Sequence, residues 1–171
     1  MKKLIVFLLF GLLSVNLLSS QIHLPFSEVD KREIKGQTTY LFKGDKFNGI
    51  IFENYSNENL KFRFNVKDGK LDGVFEEFYE NNQLKFKTTY KQGKLNGHSK
   101  SYHNNGILRG YGNFKDNKLY GSFEEYYENG QLKEKSAFLN NKLNGPSERY
   151  YKNGQLKEKS IYKNGEKLSS I

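Results

Sequence analysis

Cysteine is absent from the 171 residues, which excludes thiol catalysis, Cys-ligated zinc, iron–sulfur clusters and a disulfide framework. Tryptophan is absent too, Pro occurs twice, His three times, and Ala once, at Ala137. The best helix former is thus nearly missing, while aromatic residues make up 15% of the chain. That balance favours a single all-β domain. The abundance of Phe, Tyr, Ile, Asn and Lys fits an A/T-rich genome and suggests a bacterial source.

What is present begins with positive charge: 28 Lys and Arg stand against 19 Asp and Glu, for a net +9. Part of it belongs to the N-terminus. Met1-Lys2-Lys3 precedes an apolar run from Leu4 to Leu18 that is shorter than the about 20 residues of a spanning helix, and Ser19-Ser20 supplies small residues before Gln21. Residues 1–20 therefore read as a helical signal peptide, with an uncleaved anchor as the alternative. The mature chain is expected to be exported (periplasmic, secreted or attached to the cell envelope) and to lack a transmembrane span. Without Lys2 and Lys3 the balance is 26 basic against 19 acidic residues, or +7.

The rest is a repeat. Gly49, Gly73, Gly97, Gly121 and Gly145 recur every 24 residues without insertion or deletion, and Leu60, Leu84, Leu108, Leu132 and Leu156 keep the same step. Phe42 extends the series Val66, Tyr90, Phe114, Phe138 and Tyr162 back by one unit. Each unit reads as a β-hairpin. Asn105-Gly106, Asn129-Gly130 and Asn153-Gly154 sit between strand-like runs and predict two-residue type I′ turns, with Asn81-Asn82 and Asn57-Glu58 as weaker versions. Segments such as Lys91 to Gly97 then read as longer Gly-rich links between hairpins. Residues 21–35 fall outside the period and could cap one end, residues 36–168 form the array of five units with partial end units, and 169–171 are a tail.

Counting outward from a two-residue turn at Asn129-Gly130 pairs Tyr126 with Lys133, Glu125 with Glu134 and Glu124 with Lys135. The same rule pairs Glu76 with Lys87, Phe78 with Lys85, Glu148 with Lys159, and Tyr150 with Lys157. Phe75, Phe123, Tyr127 and Leu132 fall on the face that stacks from unit to unit. Most strand lysines then have an acid or ring opposite them, which argues against nucleic-acid binding. The surplus charge still suits weak contact with an anionic lipid or envelope polymer.

No catalytic or cofactor-binding constellation emerges, and no metal site is assigned. Adjacent carboxylates such as Glu76-Glu77 and Glu124-Glu125 point to opposite faces of a strand and cannot converge on one substrate. His98 and His103 could approach each other, but would need further ligands such as Asp116 or Glu124. His103 replaces a Tyr of the repeat and reads as a packing residue.

The blocks DGKLDGVFEEFYENNQLKFKTTYKQ, DNKLYGSFEEYYENGQLKEKSAFLN and NNKLNGPSERYYKNGQLKEKS resemble the MORN repeat variant of bacteria. The resemblance implies hairpins laid side by side in an elongated, twisted antiparallel sheet, with Gly73, Gly97, Gly121 and Gly145 as linker glycines and Gly106, Gly130 and Gly154 as turn glycines. Asn82, His103, and Gly110 with Gly112 depart from the pattern. Relatives are often labelled antitoxin components of toxin–antitoxin pairs. The expectation is a non-enzymatic exported module without a cofactor that binds a protein partner or the envelope surface. An antitoxin-like inhibitor and an anionic-lipid binder are the alternatives. Tyr126, Lys133, Tyr150 and Lys157 are the candidate partner-binding face.

Overall fold

The computed structural model describes residues 21–170, so the expected signal helix at residues 1–20 lies outside the described residues. The remainder is almost entirely strand. Its elements are β1 (His23–Pro25), a 3-10 turn (Phe26–Glu28), β2 (Asp30–Ile34), β3 (Gln37–Phe42), β4 (Asp45–Lys46), β5 (Gly49–Asn54), β6 (Leu60–Lys67), β7 (Lys70–Phe78) and β8 (Leu84–Lys91). The second half continues with β9 (Lys94–Leu95), β10 (Gly97–Tyr102), β11 (Leu108–Lys115), β12 (Lys118–Tyr126), β13 (Leu132–Leu139), β14 (Lys142–Tyr150), β15 (Leu156–Lys163) and β16 (Glu166–Ser170). From β5 to β16 the chain makes one long twisted antiparallel sheet in sequence order, with β9 beside β8 and β1 added in parallel to β5. The expected repeat sheet is thus the structure of the protein.

The two kinds of turn exchange the roles expected of them. Lys91 faces Lys94 across Gln92 (φ 50°) and Gly93 (φ 80°), both left-handed, which defines a two-residue type I′ turn. Asp68-Gly69, Asp116-Asn117, Asn140-Asn141 and Asn164-Gly165 repeat it, each with positive φ at both places. The segments expected to be long links are therefore the tight turns. At Asn129-Gly130 only the glycine is left-handed (φ 83°). The Gly130 N–H donates to the Tyr127 carbonyl and the Tyr127 N–H to the Gln131 carbonyl, both at 2.9 Å. This is a type I turn closed by a glycine bulge, one residue longer than expected.

That extra residue shifts the register beside the turn. Glu124 faces Lys135 and Glu125 faces Glu134 as expected, but a bulge follows and Tyr126 faces Leu132 instead of Lys133. Likewise Phe78 faces Leu84 instead of Lys85, and Tyr150 faces Leu156 instead of Lys157. The 24-residue glycines sit at a second irregularity, just after each tight turn. Gly97 takes φ 117°, and a Cβ there would lie 2.8 Å from the Thr89 hydroxyl oxygen; at Gly145 it would lie 3.0 Å from the Ala137 Cβ. A side chain is excluded both by φ and by the neighbouring strand.

The buried core lies at the N-terminal end. Residues 37–46 carry the half-unit marked by Phe42 and its own tight turn, Lys43-Gly44, yet β2, β3 and β4 leave the long sheet and form a separate three-stranded one. It lies over the start of the array, where Val29, Tyr40 and Phe47 join Ile51, Phe64 and Val66 in one cluster. Tyr40 packs on Phe64 with ring centroids 5.1 Å apart, and Phe26 meets Phe62 edge-on at 5.7 Å. The strand at the other end runs to Ser170, into the stretch expected as a tail.

Candidate binding surface

Alternation along the strands gives the sheet two faces. The core face continues the buried cluster through Ile51, Phe64, Phe75, Thr88, Ser99, Phe123, Ser136, Ser147 and Ser160, which pair strand to strand or occupy equivalent places in successive units. The outer face carries Glu76, Lys87, Glu124, Lys135, Glu148 and Lys159. From β10 onward no second layer covers the core face among the described residues.

Neighbouring units are joined near the glycine-bulge turns by a ladder of side chains reaching backbone. The Tyr55 hydroxyl donates to the Phe78 carbonyl, Tyr79 to Tyr102 and Tyr127 to Tyr150, each at 2.8 Å. In the third unit His103 Nε2–H donates to the Tyr126 carbonyl at 3.0 Å. The packing role expected for His103 is thus a hydrogen-bonding one, an imidazole standing where the other units use a phenol. The turn asparagines work alongside: Asn129 accepts from the Gln131 N–H and donates to the Lys152 carbonyl. Asn105 does the same toward Ile107 and Glu128.

On the outer face each central carboxylate is held from two sides. Glu76 contacts Arg63 at 2.7 Å and Lys87 at 2.8 Å, and is itself about nine-tenths buried. Burial pushes its carboxyl upward, but hydrogen bonds and charge from Lys87 and Arg63 outweigh that and hold it below the ordinary carboxylate range. Glu124 takes a hydrogen bond from the Tyr126 hydroxyl at 2.7 Å and an ion pair from Lys135 at 3.0 Å, and both hold its carboxyl low. The same bond to Glu124 pushes the Tyr126 phenol up to about 12. Tyr150 and Lys159 clasp Glu148 in the same way.

The four residues expected to share a binding face are therefore divided. Tyr126 and Tyr150 turn to the outer-face glutamates. Lys133 pairs with Glu125 at 3.0 Å, and Glu125 alternates to the core face. Lys157 stands over the Tyr151 ring at 5.5 Å. The bulge beside the turn causes the split, since it changes the side to which the following residues point. Leu84, Leu108 and Leu132 are half-buried beside these turns, and Leu156 in the last unit is exposed.

The strand pairs leave some charge unanswered. Across the tight turns Lys67 faces Lys70, Lys91 faces Lys94 and Lys115 faces Lys118, all on the outer face. Of these six, among the described residues, only Lys94 has a carboxylate near it, Asp116 at 3.8 Å. The surplus charge is gathered along one edge, a feature the expected pairing missed because it assigned those residues to irregular links. The signal was in the sequence as Lys-x-x-Lys around two residues suited to positive φ.

His98 and His103 are each engaged elsewhere, His98 Nδ1 lying 2.7 Å from the Tyr111 hydroxyl. Among the described residues no three His, Cys, Asp or Glu side chains come together as metal ligands.

The family model described as MORN repeat variant matches residues 71–92, 95–116, 119–140 and 143–164. Each match runs from the Leu that follows one tight turn to the first residue of the next. The hairpin of β5 and β6, which keeps the 24-residue step, precedes the matched region. No curated protein matches the chain.

Proposed function

Because this chain belongs to the MORN repeat variant family, we propose that it is a non-enzymatic, exported repeat module that holds a protein partner on its sheet. The observation that carries this reading is the unit-to-unit ladder. Tyr79, His103 and Tyr127 tie successive hairpins at backbone carbonyls, so the array is a stiff surface that a partner can engage across several units. Among the described residues the adjacent strand carboxylates Glu76-Glu77 and Glu124-Glu125 are occupied by lysine, arginine and tyrosine on separate faces, which suits scaffolding and not acid–base work by either pair. Export rests on Met1 to Ser20 alone. An antitoxin-like inhibitor is the form this reading takes if the partner is a toxin that also leaves the cytoplasm.

Affinity isolation of the processed chain from the exported fraction tests location and partner together. A stoichiometric protein partner is the expected result. Recovery of the chain alone would overturn the module reading, and recovery only from the cytoplasm would overturn export.

The lysine edge favours a second reading, binding to an anionic envelope surface, because like-charged pairs cost stability that a polyanion would return. Sedimentation with anionic vesicles that fades with salt is its expected signature; equal binding to neutral vesicles, or none, rejects it.

A further inference from the structure

In the third unit the backbone is regular but the core face is hollow. β11 runs unbroken from Leu108 to Lys115, yet it carries Gly110 and Gly112 where other units carry larger side chains. Position 110 corresponds to Phe62, Phe86, Glu134 and Glu158 one or two units away. Leu119 and Phe123 lean over Gly112, where an added Cβ would lie 2.9 and 3.4 Å from them, and a cavity of about 350 Å³ opens along the core face between Phe86, Phe114 and Phe123. An enclosed cavity of about 150 Å³ already admits benzene, so the volume of this open hollow is sufficient for an aromatic ring with a substituent.

Two polar groups in the hollow lack the partners that the repeat supplies elsewhere. Lys61 pairs with Glu53, Lys85 with Glu77 and Lys133 with Glu125, at 2.6, 2.6 and 3.0 Å. The same step places Arg109 beside Ser101, and Arg109 lines the cavity with no ion pair among the described residues. Glu125, which faces Gly110 on the next strand and also lines the hollow, is already paired with Lys133. The second group is Ser99, which is 93% buried because only 7% of it is exposed. Two units later Ser147 meets the Ser136 hydroxyl at 2.9 Å. Thr88 holds the place of Ser136 beside Ser99, and its buried hydroxyl has no hydrogen-bond partner. On the other side Ser99 faces Gly112, which offers no side chain, so the Ser99 hydroxyl opens onto the cavity.

We propose that this hollow docks an aromatic side chain standing next to a carboxylate on a protein partner. The ring enters between Phe86, Phe114 and Phe123, and the carboxylate meets the Arg109 guanidinium, with the Ser99 hydroxyl available to a polar atom at the base. Aromatic walls favour a ring in edge or offset contact. A guanidinium without an acid favours a carboxylate, which it can engage through two parallel hydrogen bonds. The hollow is open to the face, so a small free acid would stay half in water, whereas a residue carried on a larger surface would be covered by it. This inference rests on the protein-binding reading above and names the chemistry of the partner.

The repeat itself supplies the test variants. Gly110→Phe restores the residue of the two preceding units and fills the cavity; position 110 lies on a strand without a positive φ, and its new Cβ would stand 3.1 Å from the Ser101 hydroxyl, a rotatable group that turns aside. Ser101→Glu restores the acid that the first, second and fourth units place beside their basic residue. Both are expected to melt no lower than the parent chain. Binding of the peptide acetyl-Gly-Phe-Asp-Gly-amide to the full chain is measured by titration calorimetry, beside a Phe-Asn control and 3-phenylpropionate. The expected result is that the Phe-Asp peptide binds the parent chain, and that either variant, or the neutral control, loses at least about tenfold in affinity, the scale of one charge-assisted contact. Equal binding to Gly110→Phe, no binding to the parent chain at millimolar peptide, or tighter binding of 3-phenylpropionate overturns the proposal. Partner isolation with the parent and Gly110→Phe chains separates the two failures. A protein held equally by both leaves the module reading standing and refutes this site, while no protein held by the parent chain refutes the module.

Discussion

The Tyr127 hydroxyl donates to the backbone carbonyl of Tyr150, 2.8 Å away on the first strand of the following hairpin. The two residues are 23 apart, one short of the repeat, so the bond joins a unit to its successor. Tyr127→Phe removes the donor while keeping the ring. The expected loss is about 1 kcal/mol, the usual net worth of one hydrogen bond. Urea unfolding should show a lower midpoint with an unchanged slope. An unshifted midpoint would mean that the ladder does not support the array.

The carboxylate at Glu76 should make the protein acid-sensitive. Its folded pKa lies below the unfolded value, so its contribution is present above about pH 4.3 and is lost as pH falls through the lower folded value. Glu76→Gln is expected to cost about 1 to 3 kcal/mol at neutral pH, with the lower part favoured because Arg63 and Lys87 are half-exposed. Its stability should also fall less steeply than the parent's between about pH 5 and pH 3, the window set by carboxylate titration. Parallel acid-unfolding curves for the two chains would contradict this assignment.

Tyr126 should be the late tyrosine in an alkaline titration. Its phenol is pushed up to about 12 by the hydrogen bond to Glu124. Because the folded value is raised, the stabilisation is complete below the ordinary value of about 10 and disappears as pH rises through the folded one. In tyrosinate absorbance the difference between the parent and Tyr126→Phe gives the curve for this residue. Glu124→Gln is expected to move that curve toward about 10.

Glycines of the two irregularities should differ in tolerance. Gly130 sits at φ 83°, and a Cβ there would stand 3.8 Å from its nearest neighbour, Ile107, so Gly130→Ala meets only the left-handed backbone penalty of about 1 to 2 kcal/mol. Gly97→Ala adds a clash with Thr89 at 2.8 Å and a φ that is open to glycine alone, and should cost more. Conversely, Glu58 holds φ 68° at the place of Gly130, and Glu58→Gly is expected to stabilise by up to about 1 kcal/mol. Thermal melts of the three variants rank them.

Stability should be unequal along the array. Ile51 is fully buried where the small sheet covers the long one, whereas Leu156 is 52% exposed. Ile51→Ala is expected to cost about 2 to 5 kcal/mol and Leu156→Ala under about 1. Deleting residues 21–35 would strip Phe26 and Val29 from the same cluster and lower the melting temperature. An unchanged melt would show that this segment is not a cap.

The sequence by itself determined the hairpin array, because a 24-residue step carrying glycines and turn residues leaves a chain of this composition few alternatives to a meandering sheet. It also determined the pairs far from the turns, such as Glu124 with Lys135, since period-two alternation survives there. The turn types were not legible. Asn-Gly satisfies both a two-residue and a three-residue loop, and the choice at Asn129-Gly130 accompanies bonds from the Asn129 side chain to Gln131 and to Lys152 in the next unit. From that one added residue follow the bulge beside the turn and the separation of Tyr126 from Lys133, while the lysine edge follows from the tight turns at the other end of the strands. Tertiary structure also decided which unit is filled. Gly110 and Gly112 depart from the repeat, but strand pairing needs only backbone; Leu119 and Phe123 close over Gly112, and the hollow is left beside Gly110, where the two preceding units carry Phe.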